Sequence, residues 1–212
     1  MALRMPRPAT VDFETKGIEG RPDYPPEPVS VSIKRWGKKP KFFAWGHLSG
    51  GNNCDKATAH RALVDVWKEP DGLLFQNAKF DVDVAEVHFD LPIPTWDRIH
   101  DTMFLIYLED PRLPTFALKP SAEHFLGMPP EEQDAVKDWI LQKDHKLWIE
   151  SHLGIDPKTG KRETVKPSTF GKYIAYAPGD VVGPYADGDV IRTEKRFEKQ
   201  WRSIRARHML EA

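Results

Sequence analysis

Asp12 and Glu14 stand two residues apart in a segment whose alternation reads as a strand, so both carboxylates leave the same face. Like charges at that separation oppose each other's ionisation, and a strand carrying the pair needs a cation or must end at solvent. Asp81 follows a short, continuous apolar run at 72–75. The carboxyl end of a buried parallel strand meeting the next helix is the usual place for ligands in α/β sheets, although an Asp there also serves as a helix cap. Tyr185 and Asp189 are four apart in a predicted helix and share a face, where a hydroxyl and a carboxylate can hold one water between them. Tyr176 and Asp180 repeat that spacing, but Pro178 and Gly179 between them weaken the case for one continuous helix. Asp83 lends the region after Asp81 a calcium-loop look, which the missing glycine and distal glutamate of such loops exclude.

Positioning these groups falls to a mixed set of elements. Alternation predicts strands over 9–16, 29–36 and 41–45, separated by Pro/Gly-rich turns, hence an antiparallel meander. Asp55 caps a predicted helix whose apolar side is Ala59, Ala62, Leu63, Val66 and Trp67. A buried strand over 72–75, a helix over 80–89 and a short strand over 96–99 follow, and Asp101 caps a helix to about Leu108. Further helices are expected near 119–126, 131–153, 168–177 and 184–206, with a polar turn at 156–161 and a helix break at Gly183-Pro184. The implied fold class is α/β: a mixed five-stranded sheet, its first three strands antiparallel and the rest parallel, flanked by helices.

Composition narrows the setting. With 212 residues and 40% hydrophobic content the chain can bury a core, which excludes wholesale disorder. A net charge of −1 offers no global attraction for nucleic acid, so positive charge for such a partner would have to be local. One cysteine, Cys54, excludes an internal disulfide framework and a cysteine-based zinc cluster. No secretory leader is evident and no apolar run reaches the ~20 residues that span a bilayer, so a soluble cytoplasmic setting without membrane contact is expected. The tryptophans Trp36, Trp45, Trp67, Trp139 and Trp148 read as core residues, and Lys38, Lys39 and Lys41 as a solvated hairpin turn.

Taken in order, the motifs are Val11-Asp12-Phe13-Glu14-Thr15, then Gln76-Asn77-Ala78-Lys79-Phe80-Asp81, then the Asp101-Thr102-Met103 helix start. Next come the 118–127 segment, with Ala122, Glu123, Phe125 and Leu126, and finally Tyr185-Ala186-Asp187-Gly188-Asp189 with Thr193 four residues on. Across about 9–200 this set resembles the proofreading 3′→5′ exonuclease domain of family A DNA polymerases, bacteriophage ones in particular. Within the ribonuclease H-like DEDD exonucleases it resembles the tyrosine subclass. Thr193 favours Tyr185/Asp189 over Tyr176/Asp180, and no His-x-x-x-x-Asp stands near the third motif to suggest the histidine subclass. Pro120 departs from the family's continuous helix, although a first-turn position tolerates it, and 128–170 matches only loosely.

The resemblance implies that Asp12, Glu14, Asp81 and Asp189 bind two magnesium ions, with manganese as a substitute. One ion activates the attacking water and the other stabilises the leaving 3′ oxygen. Tyr185 would orient the water, Glu14 would also meet the terminal 3′-hydroxyl, and Thr15, Asn77, Gln76 and Phe80 would form the wall for the last nucleotide. The expected partner is a single-stranded DNA 3′ end, with a polymerase domain or subunit beside it. Residues 1–200 would be the exonuclease domain and 201–212 the start of a helix leading toward a polymerase portion; a phage origin would place it in bacterial host cytoplasm. A ribonuclease D-like RNA-trimming enzyme would need the same acids, and a non-catalytic nucleic-acid-binding or structural module is the alternative from another class.

Overall fold

The computed structural model describes residues 4–18, 20–129, 131–155 and 160–206, without the side chains of 131–134 and 205–206. Most of the polar turn expected at 156–161, and residues 207–212 of the C-terminal run, lie outside the described residues. In chain order the elements are β1 (Ala9–Thr15), β2 (Pro28–Lys34), β3 (Lys41–Ala44), α1 (Lys56–Val66), β4 (Leu73–Phe75), α2 (Ala78–Phe89) and β5 (Ile99–Asp101). These are followed by α3 (Thr102–Glu109), α4 (Leu118–Leu126), α5 (Glu131–Leu141), α6 (Lys143–His152) and α7 (Gly179–Ala206). The five strands form one mixed sheet in the order β3-β2-β1-β4-β5. β1, β2 and β3 pair antiparallel, while β4 runs parallel to both β1 and β5. This is the α/β arrangement the sequence implies, with β1 hydrogen-bonded on both edges.

The two faces of the sheet differ in chemistry. Val11, Phe13, Val31 and Ile33 join Leu63, Val66, Val82, Ala85 and Phe89 in an apolar core, so this face takes α1 and α2. The alternate positions Thr10, Asp12, Glu14, Ser30, Ser32 and Lys34 are polar, and α7 crosses over this side. Burying a polar face is unfavourable unless its groups are paired, and α7 supplies partners. Ser32 Oγ donates to Asp187 Oδ1 at 2.6 Å, and Lys34 Nζ pairs with Glu194 Oε1 at 2.6 Å. The start of α7 sits flush against β3 because it lacks side chains there. A Cβ on Gly179 would lie 2.5 Å from the Gly51 carbonyl oxygen, and one on Gly183 would lie 3.1 Å from the Phe42 ring.

Several expectations hold in detail. Asp55 Oδ1 accepts the Thr58 N–H at 2.7 Å and caps α1. Asp101 Oδ1 accepts the Met103 N–H at 2.8 Å and caps α3. Pro120 is the third residue of α4, where no intrahelical partner is lost. Trp67 is buried, while Trp45, Trp139 and Trp148 pack half-buried against the cores.

Four expectations need correction. The strand expected over 96–99 begins at Ile99; residues Trp96–Arg98 form a single 3-10 turn. Only from Ile99 onward does the chain pair with β4, and the Arg98 guanidinium is turned back to the Trp67 and Glu69 carbonyls. Gly183-Pro184 does not break a helix: α7 runs continuously for 28 residues with Pro184 inside it. The lost hydrogen bond falls in the second turn, and burial of Val182, Ala186 and Val190 on the same helix outweighs it. The helix expected over 131–153 is two helices, divided at Gln142, whose ψ of 135° is extended. Residues Pro167–Tyr176 are 3-10 rather than α-helix, kinked at Thr169 with φ −125°.

Candidate metal centre

Laying α7 across the polar face of β1 brings Asp189 over Asp12 and Glu14. One oxygen from each of these carboxylates lies within 4.8 Å of the others. Asp12 and Glu14 share a face through the strand's period of two, and the flanking strands fix that face on both sides. Asp189 is delivered by a helix already anchored at Asp187 and Glu194. Glu14 is 9% exposed and Asp189 7%, while Asp12 is half-buried.

Asp81, in the first turn of α2, reaches the same strand but by a different contact. Its Oδ1 accepts the Phe13 N–H at 3.0 Å, so the carboxylate is tied to the main chain between the two β1 acids. It is 2% exposed and stands outside the trio whose oxygens converge, yet Asp12's charge is near enough to raise its pKa.

The competing acid, Asp180, is exposed and lies against Gly51 at the start of α7. It is nine residues before Asp189, about 13 Å along the helix axis. Tyr176 belongs to the 3-10 segment rather than to α7 and packs edge-on to Trp148. Tyr185 is half-buried one turn before Asp189, on the same helix.

Two basic residues at the site were not anticipated. Lys119 on α4 pairs with Asp189 Oδ2 at 2.7 Å, and its ammonium stands 3.8 Å from the centroid of the Tyr185 ring. Arg192 Nη1 lies 3.5 Å from Asp189 Oδ1. The spacing of three between Asp189 and Arg192 on a helix is a readable signal. Lys119 is seventy positions from Asp189 and has no local pattern to mark it.

Of the residues expected to line the nucleotide wall, Gln76, Asn77 and Phe80 lie at the β4–α2 junction, while Thr15 ends β1. Gln76 is committed at both ends of its amide: Nε2 donates to the Phe116 carbonyl at 2.9 Å and Oε1 accepts from Thr102 Oγ1 at 2.6 Å. Phe80 packs half-buried against the apolar core. Thr15 is buried, and its hydroxyl donates to the Lys16 carbonyl. Asn77 is exposed in the left-handed region at φ 70°, with Asp101 accepting its N–H and that of Ala78 at 3.0 and 2.9 Å. Asp101 therefore braces three backbone groups across the starts of α2 and α3.

The electrostatics of the acids are those of crowded anions. Burial, then Asp189's charge, lift Asp12 to a pKa of about 7, with Lys119 opposing the rise. Burial and the neighbouring Asp12 hold Glu14 well above the usual carboxylate range, and burial and Asp12 do the same to Asp81. A folded-state pKa above the unfolded one means the native protein retains protons the unfolded chain has released, so this contribution to stability falls as pH rises from about 4 to about 7. In chelator, the Tm is expected to drop by at least ~3 °C between about pH 5 and about pH 7.5, roughly 1 kcal/mol for a protein of this size. A profile that is flat or rises over that interval in a pH-resolved thermal melt would contradict the crowding.

The donor set suits a hard divalent cation: the converging atoms are all carboxylate oxygens, with no thiolate or imidazole among them. No protein-family model matches the chain, and no curated protein matches it. No described helix is long and apolar enough to cross a membrane.

Proposed function

We propose that this protein is a metal-dependent 3′→5′ exonuclease of ribonuclease H-like fold, acting on single-stranded DNA 3′ ends and proofreading for a family A DNA polymerase of phage type. The observation that carries the reading is the convergence of Asp12, Glu14 and Asp189, with Asp81 fastened to the same strand. The sheet order, with a central β1 between an antiparallel meander and two parallel strands, supports the fold part of it.

Asp12, Glu14, Asp81 and Asp189 would hold two magnesium ions, with manganese able to replace them. Once bound, such ions supply positive charge that activates a water and stabilises the departing oxygen. The chain's own residues do the rest. Tyr185, half-buried beside Asp189 on α7, orients the attacking water through its hydroxyl. Glu14 also meets the terminal 3′-hydroxyl, and Thr15 and Asn77 flank the last nucleotide. Gln76 and Phe80 act from behind, Gln76 by tying the β4–α2 junction to α3 and to the Phe116 segment. A cavity of about 270 Å³ near the end of β1, lined in part by Lys16, Lys172, Tyr176 and the acidic Glu163, includes basic and aromatic groups of the kind that hold a single strand.

Digestion of a 5′-labelled single-stranded DNA tests this directly. The expected result is a ladder shortening from the 3′ end in magnesium and intact substrate in EDTA, with a matched RNA strand cut more slowly. A pure preparation that degrades neither strand with magnesium or manganese would sink the enzyme reading, and faster cutting of RNA would make it a ribonuclease D-like trimmer.

A further inference from the structure

The contacts of Lys119 point to a role the carboxylates alone do not describe. Its Nζ donates to Asp189 Oδ2 at 2.7 Å and stands 3.8 Å from the centroid of the Tyr185 ring. The pair is sheltered, with side-chain exposures of 16% for Lys119 and 10% for Asp189. The carboxylate so engaged is one of the three whose oxygens converge. An ion shared by Asp12, Glu14 and Asp189 must draw on the group that Lys119 already holds. Lysine suits such an exchange better than arginine, being a compact point charge on a flexible stem rather than a rigid bidentate fork. It also sits on α4, a different element from the β1 and α7 acids, so it can yield without moving them.

We propose that Lys119 is a positioning residue that holds Asp189 beside Tyr185 and competes with the divalent ion for Asp189, so that it sets the metal concentration at which the site loads. The inference rests on the metal site proposed above. Without bound ions the ammonium offsets part of the repulsion among the acids; with them it repels the incoming charge. A unit charge about 5 Å from a divalent ion changes its binding by roughly tenfold even with the screening of bulk water.

The test is manganese binding, followed by electron paramagnetic resonance of the free ion, for the wild type, Lys119→Met, Lys119→Gln and Asp12→Ala. Thermal melts in EDTA and in saturating magnesium accompany it. Both lysine variants are expected to bind manganese about tenfold tighter than wild type and to lose more Tm in EDTA than in magnesium. Equal or weaker manganese binding in either folded lysine variant overturns the role of Lys119 and leaves the metal site standing. Wild type that binds no more manganese than Asp12→Ala overturns the metal site itself, and this inference with it.

Discussion

Replacing Asp12 with alanine is expected to slow metal-dependent release of 3′ nucleotides more than about a thousandfold, on the order of 4 kcal/mol in the barrier, while the protein stays folded. The loss should be large because Asp12 is a member of the converging trio and neighbours Asp81 electrostatically, so no other group substitutes for it. The same substitution removes a charge that raises the pKa of both Glu14 and Asp81, so in chelator near neutral pH the variant should melt no lower than wild type. Loss of activity with unchanged or improved stability separates a functional acid from a structural one. Asp189→Ala should match it in activity, and Asp180→Ala, which removes an exposed acid, should cleave within about twofold of wild type, as surface changes away from a site usually do little. Oligonucleotide cleavage by the three variants alongside wild type gives the answer; an Asp12→Ala enzyme retaining a tenth of the activity would remove that residue from the chemistry.

The second large effect concerns stability. Arg196 is fully buried on α7, pairs with Glu109 Oε2 at 2.8 Å, and stacks its guanidinium 3.7 Å from the centroid of the Phe125 ring. Its Nε and Nη1 find no acceptor among the described residues, and burial draws its pKa down against Glu109's opposing pull. Removing one member of such a pair leaves the other charge buried, so Arg196→Met is expected to cost about 3–5 kcal/mol, roughly a 10 °C fall in Tm for a chain of this length. A buried pair replaced on both sides by apolar groups is often neutral in stability, so Arg196→Met with Glu109→Leu should recover most of the loss. A double variant no more stable than Arg196→Met alone, in chemical denaturation, would show that the pair's charges are not what the single variant disturbs.

How much of this could be read beforehand depended on the range of the interaction involved. The β1 pair was legible because the spacing of Asp12 and Glu14 matches the strand's own period, and Asp55 and Asp101 because a cap acts within three residues. The polar side of β2 was visible as alternation, but its purpose was not: Ser32 and Lys34 find their partners Asp187 and Glu194 on α7, more than a hundred and fifty residues away. Pro184 misled for a related reason, since local propensity argued for a break while packing on the sheet kept the helix whole. The onset of β5 was missed because Trp96 looked like a strand residue, yet it is 87% exposed in a turn. Lys119 was hidden most fully, since only the closed fold brings α4 to α7.

The placement of α7 also bears on how the chain comes to its native form. The first and last described elements are neighbours here, with Ser32 bonded to Asp187 and Asp12 grouped with Asp189. Contacts of such long sequence separation form late, because the intervening loop must close before they contribute. On a ribosome, the polar face of the sheet lacks the partners of Ser32 and Lys34 until residues from Gly179 onward have emerged. A nascent chain halted before that point holds Asp12, Glu14 and Asp81 but lacks Asp189. Synthesis order thus keeps the acidic cluster incomplete until the rest of the sheet has been made.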